Sequence, residues 1–292
     1  MFKKISKAVF VLQLCLMPGL RVLAQETISF TLDVEGHLLI KASVNGVEGN
    51  FMFDTGAGIN LISRNFAQKI GKFEKEDSGF TGFRATGEQM YADIYKGANL
   101  RIGSLSDGTP EFAIINSGLG PLDGIISLLP FQDTPFTIDY NDKKIIFETQ
   151  KSIKQRRAHG RIITLQTDNS RGRSLVFFTW VKINEKLKLQ FLIDSGAGSN
   201  SFQINSRIID TLHIDTMGAI KRMHKSEFNP LFVTEMYVAK VAQIDIMGQS
   251  ALNKKNFKAL FIKDFIYDGK MSLNWLGDKL TIDLKKAELI IN

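Results

Sequence analysis

The sequence predicts a mainly β protein made of two similar halves, with only a few short helices. Val, Ile, Phe and Thr occur densely in short alternating runs, which turn residues such as Asn141-Asp142 separate. The chain has 292 residues, of which 44% are hydrophobic and 23% charged, enough for a sizeable packed core. An apolar run that ends in Asp, a hydroxyl residue and Gly-Ala-Gly occurs at 51–58 and again at 191–198.

Residues 1–24 have the pattern of a cleaved secretory signal. Lys3, Lys4 and Lys7 precede an apolar run of about ten residues, too short to cross a bilayer, and small residues come just before Gln25. We expect cleavage after Ala24 and an exported protein, periplasmic or secreted, without stable membrane insertion. The alternative is that this segment is a buried N-terminal helix.

Charge and cysteine content narrow the classes of partner. The formal charge is +7; segment 1–24 contains four basic residues and no acid, which leaves +3 for the rest. This value gives no reason to expect a nucleic-acid partner. The basic run at 151–161 lacks aromatic residues for base stacking and is interpreted as a solvated linker.

The single cysteine, Cys15, would leave with the signal, so no disulfide or thiolate chemistry is expected. An exported protein without disulfides favours a location in a bacterial envelope.

Three blocks recur in the same order in both halves, which predicts an internal duplication of a unit of roughly 130 residues. The paired blocks are 28–58 with 162–198, 90–106 with 235–253, and 122–148 with 267–291. The predicted organisation is a signal peptide at 1–24, a first lobe at 25–148, a linker at 149–160 and a second lobe at 161–292.

Each first block predicts strands joined by turns and ending in the Asp. A short helix is predicted over 63–71, with Ser63 as its N-cap and Gly71 just past its end. Residues 128–131 and 273–276 are predicted as single helical turns. Many short strands with glycine turns predict a small barrel or folded sheet in each half.

The repeated acids suggest a chemistry that needs two carboxyl groups. Apolar strands lead directly to Asp54 and Asp194, so each carboxyl group should lie near the interior. A hydroxyl donor and a glycine, which lets a backbone N–H approach the carboxylate, follow each acid. If the halves face each other about a pseudo-twofold axis, the acids meet and share one proton. The ionised acid can then activate a water while the protonated one polarises a substrate carbonyl. The supporting residues are Thr55, Gly56, Ser195 and Gly196.

The motifs resemble those of retropepsin-like aspartic proteases. DTGA at 54–57 and DSGA at 194–197 resemble the active-site motif, and DGIIS at 123–127 and DGKMS at 268–272 resemble the second motif. The resemblance covers most of the chain after residue 24. It implies a fused, two-lobed form with two β-barrel lobes related by a pseudo-twofold axis, active as a monomer. It also implies Asp54 and Asp194 as catalytic residues, a peptide or protein substrate, and neither metal nor cofactor.

Two departures from the family pattern stand in the second motif. The family's glycine is replaced by Ser127 and Ser272, which adds bulk behind each acid. Lys270 occupies a position where an apolar residue is expected.

The family closes a glycine-rich hairpin, the flap, over its substrate. Segment 78–89 is the candidate flap, with Gly79, Gly82 and Gly87 as flexible points; an exposed loop is the alternative. The counterpart at 218–230 is charged and has no internal glycine, so we expect an asymmetric cleft with one working flap. The candidate substrate-binding residues are Gly79, Phe80, Gly82 and Phe83.

Other kinds of catalytic site find little support. No two histidines have metal-ligand spacing, and no G-x-S-x-G motif is present. Two functions remain open: an exported aspartic endopeptidase, and a catalytically silent protein that binds peptides or another envelope ligand. The retained acids favour the first, whereas Ser127, Ser272 and the polar second hairpin favour the second.

Overall fold

The computed structural model describes residues 25–71, 73–97, 99–116, 119–215, 217–226, 228–247 and 252–292. The predicted signal peptide lies outside the described residues. Within them the chain forms 23 strands and two α-helices, which confirms the mainly β fold class. No helix in this part of the chain has the length and apolar character needed to cross a membrane.

Twelve of the described strands lie in the first half of the chain. They are β1 (Thr27–Leu32), β2 (Leu38–Val44), β3 (Val47–Phe53), β4 (Asn60–Ser63), β5 (Glu74–Phe83), β6 (Gln89–Lys96), β7 (Leu100–Ile102), β8 (Leu105–Asp107), β9 (Glu111–Ile115), β10 (Gly124–Ile126), β11 (Phe136–Asp139) and β12 (Lys144–Phe147).

Eleven strands form in the second half. They are β13 (Arg161–Thr164), β14 (Gln166–Asn169), β15 (Leu175–Ile183), β16 (Leu187–Asp194), β17 (Phe202–Asn205), β18 (Ile220–Lys225), β19 (Val233–Ile246), β20 (Asn253–Ile262), β21 (Gly269–Ser272), β22 (Lys279–Asp283) and β23 (Glu288–Ile291).

The strands pair into two sheets. The larger has 15 strands, in the order β13-β23-β22-β11-β12-β1-β2-β3-β10-β4-β9-β6-β5, with β7 on β2 and β8 on β7. The smaller has eight strands, in the order β14-β15-β16-β21-β17-β20-β19-β18, with an additional pairing of β15 and β19.

The larger sheet joins the two halves. Strands β13, β23 and β22 of the second half continue into β11, β12 and β1 of the first. At the junction β11 and β22 are antiparallel, and Thr137 lies opposite Thr281 with the two hydroxyl oxygens 2.6 Å apart. The backbone hydrogen bonds of the β11–β22 ladder, with this contact between hydroxyls, hold the halves in one arrangement.

Helix α1 (Arg64–Ile70) confirms the helix predicted over 63–71. The Ser63 side chain accepts a hydrogen bond from the backbone N–H of Phe66 at 3.2 Å. Gly71 ends the helix with a φ of +58°, a conformation that favours glycine. The Phe66 ring packs edge-on against Phe51, with centroids 5.4 Å apart, so α1 covers the strand that leads to Asp54.

Helix α2 (Gln150–His159) occupies the segment interpreted as a solvated linker. Thr149 and Ser152 form a capping box, and Ile153 is buried. Arg156 pairs with Glu148 at 3.0 Å, and Arg157 pairs with carboxylates of the last two strands. The basic run is therefore an anchored helix, held by ion pairs of Arg156 and Arg157; the partners of Arg157 lie near the end of the chain, so sequence spacing does not reveal them.

The predicted helical turns appear as 3-10 turns at Leu129–Phe131 and Leu273–Trp275. One buried apolar core spans both halves. Near β3 the ring of Phe53 lies 4.8 Å from that of Phe131 and 5.7 Å from that of Phe136. This packing holds the strand that ends just before Asp54.

Candidate active site

The repeated acids stand at the ends of two strands whose last residues are largely apolar. Asp54 follows β3, and Asp194 is the last residue of β16. Each strand has a parallel neighbour from the second motif: β10 beside β3, and β21 beside β16, with Asp194 opposite Ser272. Phe51 and Phe53 before Asp54, and the residues 191–193 before Asp194, are buried, so the strand ends bring the acids inward. Asp194 is only 5% exposed, whereas Asp54 is partly exposed.

The hydroxyl residues after the two acids form a reciprocal set of hydrogen bonds. The Thr55 hydroxyl accepts from the backbone N–H of Ser195 at 2.9 Å and donates to the carbonyl of Ile193 at 3.0 Å. The Ser195 hydroxyl accepts from the backbone N–H of Thr55 at 3.0 Å and donates to the carbonyl of Phe53 at 2.8 Å. All four bonds are buried, so the loop around each acid holds the loop around the other.

The glycines after the hydroxyl residues allow the two loops to touch. A Cβ on Gly56 would lie 2.4 Å from the Cγ of Asp194, and a Cβ on Gly196 would lie 2.4 Å from the Cγ of Asp54. Each glycine also donates its N–H to its own loop's acid, at 2.8 Å for Asp54 Oδ1 and 2.7 Å for Asp194 Oδ1. The close approach requires glycine at both positions.

The structure brings the two carboxyl groups together. Each acid lies against the glycine of the other loop, and burial with the negative charge of Asp194 holds the pKa of Asp54 well above its usual range. The site therefore contains two acids that do not release their protons at the same pH.

Lys270 makes the pair unequal. Its Nζ lies 2.8 Å from Asp194 Oδ2, and its side chain is 13% exposed. Burial alone would raise the pKa of Asp194. The Lys270 ammonium and the hydrogen bonds from Asp54, Lys270 and Gly196 outweigh that effect and lower it. In the sequence Lys270 stands at a position where an apolar residue is expected, but the sequence did not predict its contact with Asp194.

The two serines of the second motif are fully buried and have polar partners. The Ser127 N–H and hydroxyl both donate to Asn60 Oδ1, at 2.9 and 3.0 Å. The Ser272 hydroxyl accepts from the N–H of Ser201 at 2.8 Å. The serines tie β10 and β21 to neighbouring segments, which the sequence did not predict.

The candidate flap lies in the hairpin of β5 and β6, whose turn spans 84–88. Its four predicted substrate-binding residues lie in β5, where Gly79, Phe80, Gly82 and Phe83 pair with β6. Gly79 and Gly82 thus lie in a paired strand and are not the flexible points that the sequence predicted. A Cβ on Gly79 would lie 2.2 Å from the Tyr91 hydroxyl oxygen. Gly87, in the turn, has a φ of +84°. Phe83 is 56% exposed.

The second half also forms a hairpin, from β18 and β19, although its sequence contains no internal glycine. The two hairpin tips touch. Arg84 Nη1 donates to Ser226 Oγ at 2.9 Å and to Glu88 Oε2 at 3.1 Å, and the Ser226 hydroxyl donates to Glu88 at 2.6 Å. The Arg84 guanidinium lies 4.6 Å from the centroid of the Phe228 ring. We call this set the tip contact; sequence reasoning missed it, because its members are far apart in the chain.

The tip contact lies beside the loop of Asp54. Phe228 and Ala57, three residues after Asp54, pack against the same small buried cluster of Ile115, Leu119 and Ile125. A further hydrogen bond, from the N–H of Ile266 to the carbonyl of Ala85 at 3.0 Å, ties the first hairpin to the second half.

Comparison with known proteins supports the aspartic protease class. Residues 40–128 match the family model described as aspartyl protease. The match includes the loop of Asp54 and the first copy of the second motif, and it lies within the first half of the chain. No curated protein matches the chain.

Proposed function

We propose that this protein is an aspartic endopeptidase, in which a water activated by Asp54 and Asp194 hydrolyses peptide bonds. One observation carries the proposal: the loops of the two acids are bonded to each other, and each acid lies against the glycine of the other loop. The pKa values of the two acids are shifted in opposite directions. Such a pair holds one proton over a wide pH range, as acid–base catalysis on a peptide requires. The family match over residues 40–128 supports the same class.

In the first step of the reaction one acid accepts a proton and the other acid donates one. The ionised acid takes a proton from water as the water oxygen bonds to the peptide carbonyl carbon, and the protonated acid donates its proton to the carbonyl oxygen. In the second step the newly protonated acid gives its proton to the amide nitrogen as the C–N bond breaks. The other acid recovers a proton from a hydroxyl of the intermediate, which restores the starting state.

We propose a duplicated, two-lobed protein with lobes at 25–148 and 161–292, related by a pseudo-twofold axis. The reciprocal bonds of Thr55 and Ser195 support it, because each half supplies the same groups to the other. Both acids belong to one chain, so we propose an active monomer. The pattern of residues 1–24 supports an exported, periplasmic or secreted protein.

We propose further that the two hairpins border the substrate cleft, with Gly79, Phe80, Gly82 and Phe83 in the flap strand. The partly exposed Asp54 and the exposed ring of Phe83 support an extended peptide as ligand. We propose a peptide or protein substrate and neither a nucleic-acid partner nor stable membrane insertion.

The second candidate function is a catalytically silent protein that binds peptides in the same cleft. The Lys270 ammonium favours it, because it occupies Asp194 Oδ2, an oxygen that could otherwise contact water or substrate.

A peptide library incubated with the protein across acidic and neutral pH tests the proposal. We expect cleavage that an inhibitor mimicking the tetrahedral intermediate blocks. Asp54→Asn and Asp194→Asn should each lose roughly a hundredfold or more, and the double variant should be little worse than either, since the acids act as one unit. Asp133→Asn, at a 71% exposed acid, is the control. Peptide binding without cleavage in the wild type would establish the second candidate instead.

A further inference from the structure

The two acids lie in similar loops but have different neighbours. Lys270 lies in β21 opposite Leu192 of β16, and its ammonium reaches Asp194. The corresponding position of the first half is Ile125, in β10 opposite Met52 of β3. Ile125 packs in an apolar cluster and supplies no charge to Asp54. The pair of acids is therefore symmetric in backbone contacts and asymmetric in charge.

We propose that Lys270 is a positioning residue that decides which acid holds the shared proton: Asp194 is the carboxylate and Asp54 the acid. The ammonium stabilises negative charge most on the oxygen it touches, 2.8 Å away. Because Asp194 is buried, solvent and salt screen this attraction little. If the proposed peptidase reaction holds, Asp194 is the base toward water and Asp54 donates the proton to the carbonyl oxygen.

The remaining ionisable groups around the pair do not reverse this assignment. Tyr140 is partly buried, and desolvation together with the negative charge of Asp194 raises its pKa, so it stays neutral. Burial likewise raises the pKa of Tyr267, which senses the charges of Asp194, Asp168 and Asp54. Among the described groups that act on the two acids, Lys270 is the cation.

Removal of the Lys270 ammonium should shift the pKa values of both acids in a defined direction. A positive charge favours the ionised form of both acids, so its loss raises both pKa values. Asp194 should change more, because it is in contact with the ammonium. Both limbs of a pH–activity profile should move to higher pH, and the acidic limb should move further. The contact thus extends activity toward low pH, at the expense of a weaker base.

Carbon-13 NMR of the Asp carboxyl carbons tests the assignment without any substrate. The full chain is labelled at Asp, and the signals of Asp54 and Asp194 are identified from Asp54→Asn and Asp194→Asn. The variants are Lys270→Met, which removes the charge, and Lys270→Arg, which keeps it. Lys279→Met is the matched control, because Lys279 pairs at 2.6 Å with another buried acid, Asp139.

We expect Asp194 to titrate below Asp54 in the wild type, both to move to higher pH in Lys270→Met, and the wild-type order to persist in Lys270→Arg and Lys279→Met. A wild-type titration in which Asp54 is the lower of the two overturns the proposal, even if Lys270→Met does not fold. Unchanged titrations in a folded Lys270→Met overturn it as well. Absence of peptide cleavage with the expected titrations would reject the peptidase function and leave the role of Lys270 intact.

Discussion

Thr55 and Ser195 exchange the same hydrogen bonds in both directions: each hydroxyl accepts from the other's backbone N–H and donates to a carbonyl beside the other's acid. The carbonyls belong to the residues immediately before Asp54 and Asp194. The exchange therefore positions the two acids through their own backbones, and it is sensitive to the loss of either hydroxyl.

Thr55→Val and Ser195→Ala should each lower the free energy of unfolding by about 1–3 kcal/mol, because each leaves buried backbone groups without a partner. Chemical denaturation measures the loss. Thr31→Val, at an exposed threonine of β1, is the control and should change little. The double variant should cost less than the sum of the single variants, since the four bonds form one set. Losses no larger than that of the control would contradict the structural role of the exchange.

Gly56→Ala should abolish peptide cleavage while the protein remains folded. The new methyl group would lie 2.4 Å from the Cγ of Asp194 and must push the two loops apart. Gly108→Ala is the matched control, because a Cβ there meets nothing within 4 Å. Activity and circular dichroism are measured on the same samples. A fully active Gly56→Ala would show that the close approach of the loops is not needed.

The two acids should affect stability with opposite pH dependence. The folded-state pKa of Asp54 is raised, so its contribution is present below the unfolded-state pKa, about 4, and is lost as pH rises through the folded value. Asp54→Asn should therefore gain stability relative to wild type on going from acidic to neutral pH. The pKa of Asp194 is lowered, so its contribution is present above the unfolded-state pKa and lost as pH falls through the folded value.

Asp194→Asn should consequently be most destabilised at neutral pH, by about 3 kcal/mol or more, because it also leaves the Lys270 ammonium buried without a partner. Melting temperatures over a pH series measure both variants, with Asp133→Asn as the exposed control. Parallel pH trends for Asp54→Asn and Asp194→Asn would show that the two acids have equivalent environments.

Arg84→Met should loosen the tip contact. Glu88 is 5% exposed at its side chain and would lose its cation, while Ser226 would lose one of its partners. Amide hydrogen exchange should accelerate at Ile266, whose N–H bonds to Ala85 in the turn of the first hairpin. Lys75→Met removes an exposed ion pair with Asp93 at the other end of the same hairpin and is the control. Equal exchange in the two variants would mean that Arg84 does not hold the hairpins together.

Many elements of the fold could be predicted from residues that are neighbours in the sequence. Helix α1 was predictable because its cap, Ser63, and its terminating glycine, Gly71, act through neighbouring backbone groups. The strands leading to both acids were predictable because apolar runs and turn residues lie next to each other in the chain. Helix α2 was not predicted as such, since its stability depends on Ile153 and on ion pairs with strands at the far end of the chain.

The two acids, their hydroxyl and glycine neighbours, and the mainly β class can be read from the chain before folding, because each of these is a short local pattern. The contact of Lys270 with Asp194, the contact of Arg84 with Ser226, and the different pKa shifts of the two acids arise only in the folded chain. A pKa depends on burial and on charges a few ångströms away, and folding brings those neighbours together from distant positions in the chain.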